Sequence, residues 1–154
     1  MTGWFLILLF QLQSCNAQTN TDSIVRVLTS SVITRAGANK LIPVYISVKK
    51  GFHIQANKVT DEFIIPTTLE IDSSEVLSIG KQKYPKPKEF RLAGTTQNMP
   101  VYDGTFKILI QCKVKESVQK GKYTLIAKLH YQACDYKTCF FPKTMTFPIE
   151  VQVK

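Results

Sequence analysis

An all-β fold, built as an antiparallel β-sandwich, is what this sequence predicts. The C-terminal half contains long stretches in which apolar and polar residues largely alternate. The N-terminal half contains short β-type segments separated by Gly, Pro, Asn and Lys-rich turns. No amphipathic helix of useful length and no internal repeat interrupts this pattern. Of the 154 residues 44% are hydrophobic, enough for the core of one ordinary domain and too many for a generically disordered chain.

The chain opens on an apolar run from Trp4 to Phe10, too short to span a bilayer, which takes about 20 apolar residues. Followed by Gln11-Leu12-Gln13-Ser14-Cys15-Asn16-Ala17, it reads as an export signal over residues 1–17. Two processing routes are open. A peptidase cuts after Ala17, or Leu12-Gln13-Ser14-Cys15 acts as a lipobox and leaves Cys15 as a lipidated N-terminus. No Lys or Arg precedes Arg26. Residues 18–23 are polar and read as a short tether to a domain over 24–154.

Within the domain, 24–28 is a short apolar strand. In 41–48 the alternation is partial, and Pro43 marks an edge or a bulge because it cannot donate to a ladder. Lys49-Lys50-Gly51 turns the chain toward Phe52-His53-Ile54, and 67–71 and 76–79 are further short strands. In 105–115 one face carries Phe106, Ile108, Ile110, Cys112 and Val114. The other carries Lys107, Gln111, Lys113 and Lys115, with Leu109 as the exception. After the turn at Gln119-Lys120-Gly121-Lys122, Tyr123, Leu125, Ala127, Leu129 and Tyr131 alternate with Thr124, Lys128 and His130. A last strand over 144–153 aligns Met145, Phe147, Ile149, Val151 and Val153.

This pattern assigns the cysteines. Export makes disulfides persistent. With Cys15 removed or lipidated, Cys112, Cys134 and Cys139 remain, an odd number. Cys112 lies on an apolar strand face and reads as an inert core thiol. Cys134 and Cys139 sit at the tip between two neighbouring strands, in Tyr131-Gln132-Ala133-Cys134-Asp135-Tyr136-Lys137-Thr138-Cys139-Phe140-Phe141-Pro142. So short a loop can bring the sulfurs together, at the Cα separation of roughly 4.4–6.8 Å that a disulfide uses. A ring that small restrains the unfolded chain weakly, so the bond is a candidate for one that opens and closes. Thiol–disulfide exchange needs an accessible thiolate, a second sulfur to resolve the mixed disulfide, and a cover against stray reaction. The rival reading is an exported binding or structural module whose Cys134–Cys139 disulfide only pins a loop.

Other chemistries are poorly served. A zinc site wants four ligands, and two thiols with the distant His53 and His130 do not supply them, so no metal site is expected. No Ser/His/Asp arrangement, phosphate loop or carboxylate pair stands out, and no cofactor is implied. The net charge of +9 includes the cluster Lys81, Lys83, Lys86 and Lys88. That cluster reads as a solvated, Pro-stiffened loop; an acidic partner or a membrane surface is its other use. Nucleic acid is not an expected partner, since no recognition motif is present. His130, on the polar face of its strand, reads as a solvated histidine. Tyr131, Tyr136, Phe140 and Phe141 either surround the sulfurs or fill the end of the sandwich, with Tyr131 and Phe141 assigned to packing.

The segment Tyr131-Gln132-Ala133-Cys134 … Cys139-Phe140-Phe141-Pro142 resembles the active-site segment of the N-terminal periplasmic domain of the thiol:disulfide interchange protein DsbD. Upstream, Lys50-Gly51-Phe52-His53-Ile54 resembles that family's Gly-aromatic segment, Lys88-Glu89-Phe90 its acidic cap loop, and Pro100-Val101-Tyr102-Asp103-Gly104 a segment preceding a strand. The resemblance covers about 24–154 and implies an immunoglobulin-like sandwich that relays electrons. It implies that Cys139 forms mixed disulfides, that Cys134 resolves them, that Phe90 shields the pair with Glu89 in the cap, and that His53 lies near the pocket. It also implies thioredoxin-fold oxidoreductases and a DsbD/CcdA-like membrane reductase as partners, with the domain itself a monomer. A role in cytochrome c maturation, which also needs reduced periplasmic thiols, is a further reading. The sequence departs from the family in a shorter cysteine loop and in Lys88, which replaces an acid and would lower the pKa of a nearby thiol. It also ends at Lys154 without membrane helices or a thioredoxin-like domain. A free-standing module, or one anchored by lipid at Cys15, with a separate reductant, is therefore expected.

Overall fold

The computed structural model describes residues 24–28, 31–59, 61, 63–72 and 74–154. The expected export signal and tether, Cys15 included, lie outside the described residues. The described chain contains twelve strands and no helix: β1 (Val25–Leu28), β2 (Val32–Thr34), β3 (Asn39–Val48), β4 (His53–Gln55), β5 (Thr68–Ile71), β6 (Leu77–Lys83), β7 (Lys88–Arg91), β8 (Asn98–Tyr102), β9 (Thr105–Val114), β10 (Gly121–Tyr131), β11 (Ala133–Cys134) and β12 (Lys143–Val153).

The long alternating segments form the centres of two facing sheets. In the order β1-β3-β9-β6, strand β9 turns Ile108, Ile110, Cys112 and Val114 inward against Ile42, Val44 and Ile46 of β3. In the order β2-β12-β10-β5, strands β10 and β12 pair without interruption from Gly121↔Val153 to Tyr131↔Lys143. The inner faces of both sheets share one apolar cluster, so the sandwich is immunoglobulin-like as the sequence pattern and its resemblance imply. Each large aliphatic side chain buried there contributes about 1.5–3 kcal/mol by leaving water.

Several details depart from the sequence reading. The pairing of β2 with β12 is parallel, in an otherwise antiparallel molecule. Strand β6 runs past Ile79 through an irregularity between Ile79 and Gln82, so Lys81 and Lys83 lie on a strand and not in a loop. All four lysines of the cluster are exposed. Pro43 does sit at an edge: β1 pairs only with Tyr45–Val48, leaving Pro43 paired on one side with Leu109.

A third sheet, β11-β4-β8-β7, grows from one end of the sandwich. The chain leaves β3 through Gly51 (φ 88°) and returns into β9 through Gly104 (φ 60°), two turn positions where a side chain would be strained. β10 likewise breaks at Gln132, and the next two residues join β4 as β11. The sequence does not announce β2, β7, β8 and β11, because each is short: β2 and β11 also pair with strands far along the chain, and β7 and β8 form a small hairpin without a clear apolar alternation.

Candidate active site

Ala133 and Cys134 climb out of β10, the chain reverses at Tyr136-Lys137, and Cys139 returns opposite Cys134. Asp135 makes the reversal possible. Its carboxylate accepts the backbone N–H groups of Lys137 and Thr138, both at 2.7 Å, while its own N–H donates to the Thr138 carbonyl. These two bonds hold the Asp135 carboxyl below the usual carboxylate range, and the His53 and Lys137 charges add to the effect.

The Asp135 N–H to Thr138 carbonyl bond and the Phe140 N–H to Ala133 carbonyl bond bracket the cysteines. Cys134 and Cys139 thus occupy a directly opposed pair that exchanges no backbone hydrogen bonds, the closely spaced kind of antiparallel pair. They are joined as a disulfide with a Cα–Cα separation of 3.9 Å, shorter than the range expected for disulfides in general. Gln132 clasps the base of the hairpin. Its side-chain N–H donates to the Phe140 carbonyl, its side-chain oxygen accepts the Ile65 N–H, and its backbone carbonyl accepts the Gln55 N–H.

The two sulfurs differ in access. Cys134 is 0% exposed, whereas Cys139 is partly exposed and lines a groove of about 510 Å³ with Tyr131, Ala133, Thr138, Phe140 and Pro142. Tyr131 is buried at the groove floor, consistent with packing. Phe141 is not packed: at 92% exposure it corrects the sequence assignment. It lies between the isolated bridge at Cys139 and the first residue of β12, where no strand alternation turns its side chain inward. Tyr136 and Phe63 are also exposed, and Phe63 stands two residues from Ile65 in the segment that Gln132 holds.

Strand β4 runs beside the hairpin, with Cys134 paired to His53 and Ala133 to Ile54. Ile54 faces the core, so by alternation His53 and Gln55 share the other side. That side is also buried. Phe90 of β7 lies on the His53 ring, centroids 3.9 Å apart, and Phe52 lies 6.1 Å from Phe140. Burial pushes the His53 imidazole below its ordinary pKa, with Asp103 and Asp135 pulling weakly the other way. Its Nε2 has no hydrogen-bond partner among the described residues. Glu89 is exposed and, by alternation, on the opposite side from Phe90. Lys88 is ion-paired with Asp103. His130 is held on the outer face of its sheet, with Nδ1 2.8 Å from Thr144 Oγ1 and Nε2 3.3 Å from Glu70 Oε2.

The sequence reading missed Gln55 and Met99. Gln55 is fully buried, and its Nε2 lies 3.1 Å from Cys134 Sγ, 3.7 Å from Cys139 Sγ and 3.4 Å from Met99 Sδ. Met99 is the register partner of Phe90. The cap strand therefore reaches the sulfurs by two routes, through His53 and through Met99 and Gln55.

A β-sandwich bearing a hairpin-tip disulfide, with one sulfur buried and the other open onto a groove, defines a thiol–disulfide exchange module. Residues 25–150 match the family described as thiol:disulfide interchange protein DsbD, N-terminal, and the chain belongs to that family. The crystal structure of the N-terminal periplasmic domain of ScsB from Proteus mirabilis has the same fold. Its TM-score is 0.57 at 15% identity, over 82% of this chain and 47% of that one, so this chain spans about half its length. The reduced DsbD N-terminal domain of Neisseria meningitidis is also similar, with a TM-score of 0.48 at 17% identity over 76% of this chain and 82% of that chain. No curated protein matches the chain.

Proposed function

We propose that this module carries two electrons at a time across the bacterial periplasm, from a DsbD/CcdA-like membrane dithiol to disulfides of thioredoxin-fold oxidoreductases. The observation that carries this reading is the asymmetry of the sulfurs: Cys139 opens onto the groove and Cys134 is buried. To load the module, a thiolate of the reductant attacks Cys139 Sγ, the Cys134–Cys139 bond breaks, and Cys134 leaves as a thiolate. The reductant's second thiolate then attacks its own sulfur in the mixed disulfide and releases Cys139. To discharge it, the Cys139 thiolate attacks a partner disulfide, and Cys134 resolves the mixed disulfide by attacking Cys139 Sγ. In each direction one disulfide is lost, one forms, and two protons follow the electrons.

The rival reading, a brace that pins a loop, is disfavoured by the hairpin itself. Backbone hydrogen bonds, the Asp135 turn and the Gln132 clasp already close it. Phe90 and His53 act as the cover, and Glu89 meets solvent on the outside of the cap. Export, whether by cleavage after Ala17 or by lipidation at Cys15, delivers the module to the envelope; the mass of the mature N-terminus distinguishes the routes.

The test is trapping. Cys134→Ala, which retains Cys139, should capture a thioredoxin-fold partner as a mixed disulfide. Capture only by Cys139→Ala would reverse the roles. A reduction potential well below about −300 mV, without exchange, would mark a structural bond instead.

A further inference from the structure

Resting on the reading that Cys134 and Cys139 exchange, we infer that Gln55 is a catalytic residue that stabilises the Cys134 sulfur once the disulfide opens. Its side chain is fully buried, and its Nε2 faces three sulfurs, those of Cys134, Cys139 and Met99. In the disulfide state none of the three carries a proton, so each can only accept, and the amide must turn its N–H groups toward them. The consequence is at the other end of the amide: Gln55 Oε1 is buried with no hydrogen-bond partner among the described residues. An unpartnered buried acceptor is costly, and natural structures rarely keep one without a reason.

Opening the disulfide supplies what the amide lacks. When a partner thiolate takes Cys139, the electron pair of the broken S–S bond goes to Cys134 Sγ, 3.1 Å from Gln55 Nε2. A neutral donor to an uncharged disulfide sulfur becomes a donor to a thiolate, a charge-assisted and stronger bond. When that thiolate takes its proton, a half-turn of the amide presents Oε1 to the new S–H. One side chain thus serves both protonation states of Cys134. Cys134, being buried, would otherwise be a poor leaving group, because burial disfavours a thiolate. Gln55 therefore shifts the couple toward the dithiol and speeds attack at Cys139.

The test equilibrates the purified domain with glutathione buffers, and follows the pH dependence of alkylation of the reduced protein. It uses Gln55→Met, which fills the space without the amide, and Gln55→Glu, which keeps the shape and the acceptor but replaces the donor. For Gln55→Met, the equilibrium constant for reduction should fall about tenfold, equal to about 30 mV for a two-electron couple. The alkylation midpoint of Cys134 should rise in both variants, further in Gln55→Glu because of the like charge. If wild type exchanges with glutathione but both variants stay within about twofold of it in equilibrium and in midpoint, the inference is overturned and the proposed function stands. If wild type itself does not exchange, the proposed function fails, and this inference with it.

Discussion

The backbone N–H of Ala93 donates to the carbonyl of Tyr136 at 2.9 Å, which ties the turn of the cap ribbon to the tip of the cysteine hairpin. The two elements belong to opposite edges of one four-stranded sheet, β11-β4-β8-β7. The same sheet carries Gln55, which lies against the disulfide, and His53, on which Phe90 rests. Phe90, His53 and Cys134 thus belong to one sheet, and the proposed cover and the reactive group are built together.

Phe90→Ala should separate protection from stability. The ring is half-buried against His53. Its loss should cost about 2 kcal/mol, below the usual range for a fully buried phenylalanine. Reduction by dithiothreitol should accelerate roughly tenfold, because without the ring the reagent also reaches the buried side of the disulfide, beside His53 and Gln55, that the groove at Cys139 leaves closed. Stopped-flow reduction beside denaturant melts reads both effects. A destabilised variant reduced at the wild-type rate would show that Phe90 packs without guarding.

Phe141 predicts the opposite pattern. Being almost fully exposed, its replacement by Ser should change stability by less than about 0.5 kcal/mol. Its ring stands at the rim of the groove that Cys139 lines. An aromatic side chain so placed is a candidate anchor for a docking protein, and truncating one such anchor can cost about 2 kcal/mol of binding. Exchange with a thioredoxin-fold partner should slow at least tenfold, while reduction by dithiothreitol stays at the wild-type rate. Equal slowing with both reagents would place Phe141 in the chemistry and not in docking.

The sandwich was legible where periodicity was long. Strands β9, β10 and β12 run for ten or eleven residues, and their alternation fixes which face is buried, Cys112 included. The hairpin-tip pair was legible because its spacing is local. Gln55 was not. A glutamine after His53 and Ile54 reads as a solvent-facing strand residue, and what buries it comes from Met99, Cys134 and Cys139, 44, 79 and 84 residues away. Phe141 failed for the converse reason: an aromatic beside a strand suggests core, but the register that would turn it inward begins only at Lys143.

Cys112 tests the division of labour among the thiols. It is buried beside Lys40 of the neighbouring strand β3, its Sγ lies 3.6 Å from the Lys40 carbonyl, and burial pushes its pKa up despite the nearby Lys40 charge. In the reduced, folded domain, iodoacetamide at pH 8 should modify Cys112 at a rate more than about tenfold below that of Cys139. Full labelling should require denaturant, and Cys112→Ala should leave exchange unchanged. Intact mass spectra before and after unfolding count the labels. Rapid native labelling of Cys112 would place a third reactive thiol in the system.

His53 makes the closed site sensitive to acid. Burial holds its folded pKa below the ordinary value of 6.5, and Asp103 and Asp135 offset only part of that. Between the two pKa values the unfolded chain binds a proton that the native chain refuses, so stability rises with pH across that window. The neutral ring's contribution is fully present above pH 6.5, starts to fall as pH drops through 6.5, and levels off below the folded value. Protonation also places a charge against Phe90 in a pocket where Nε2 has no partner. Wild type should therefore lose more Tm than His53→Phe between pH 7.5 and pH 5.5, and its disulfide should become more accessible to a reductant that works in acid, such as a phosphine. Calorimetry and phosphine reduction rates across that range check both. Parallel curves for the two proteins would mean that His53 takes up its proton alike in the native and unfolded chain, and that Phe90 does not respond to its charge.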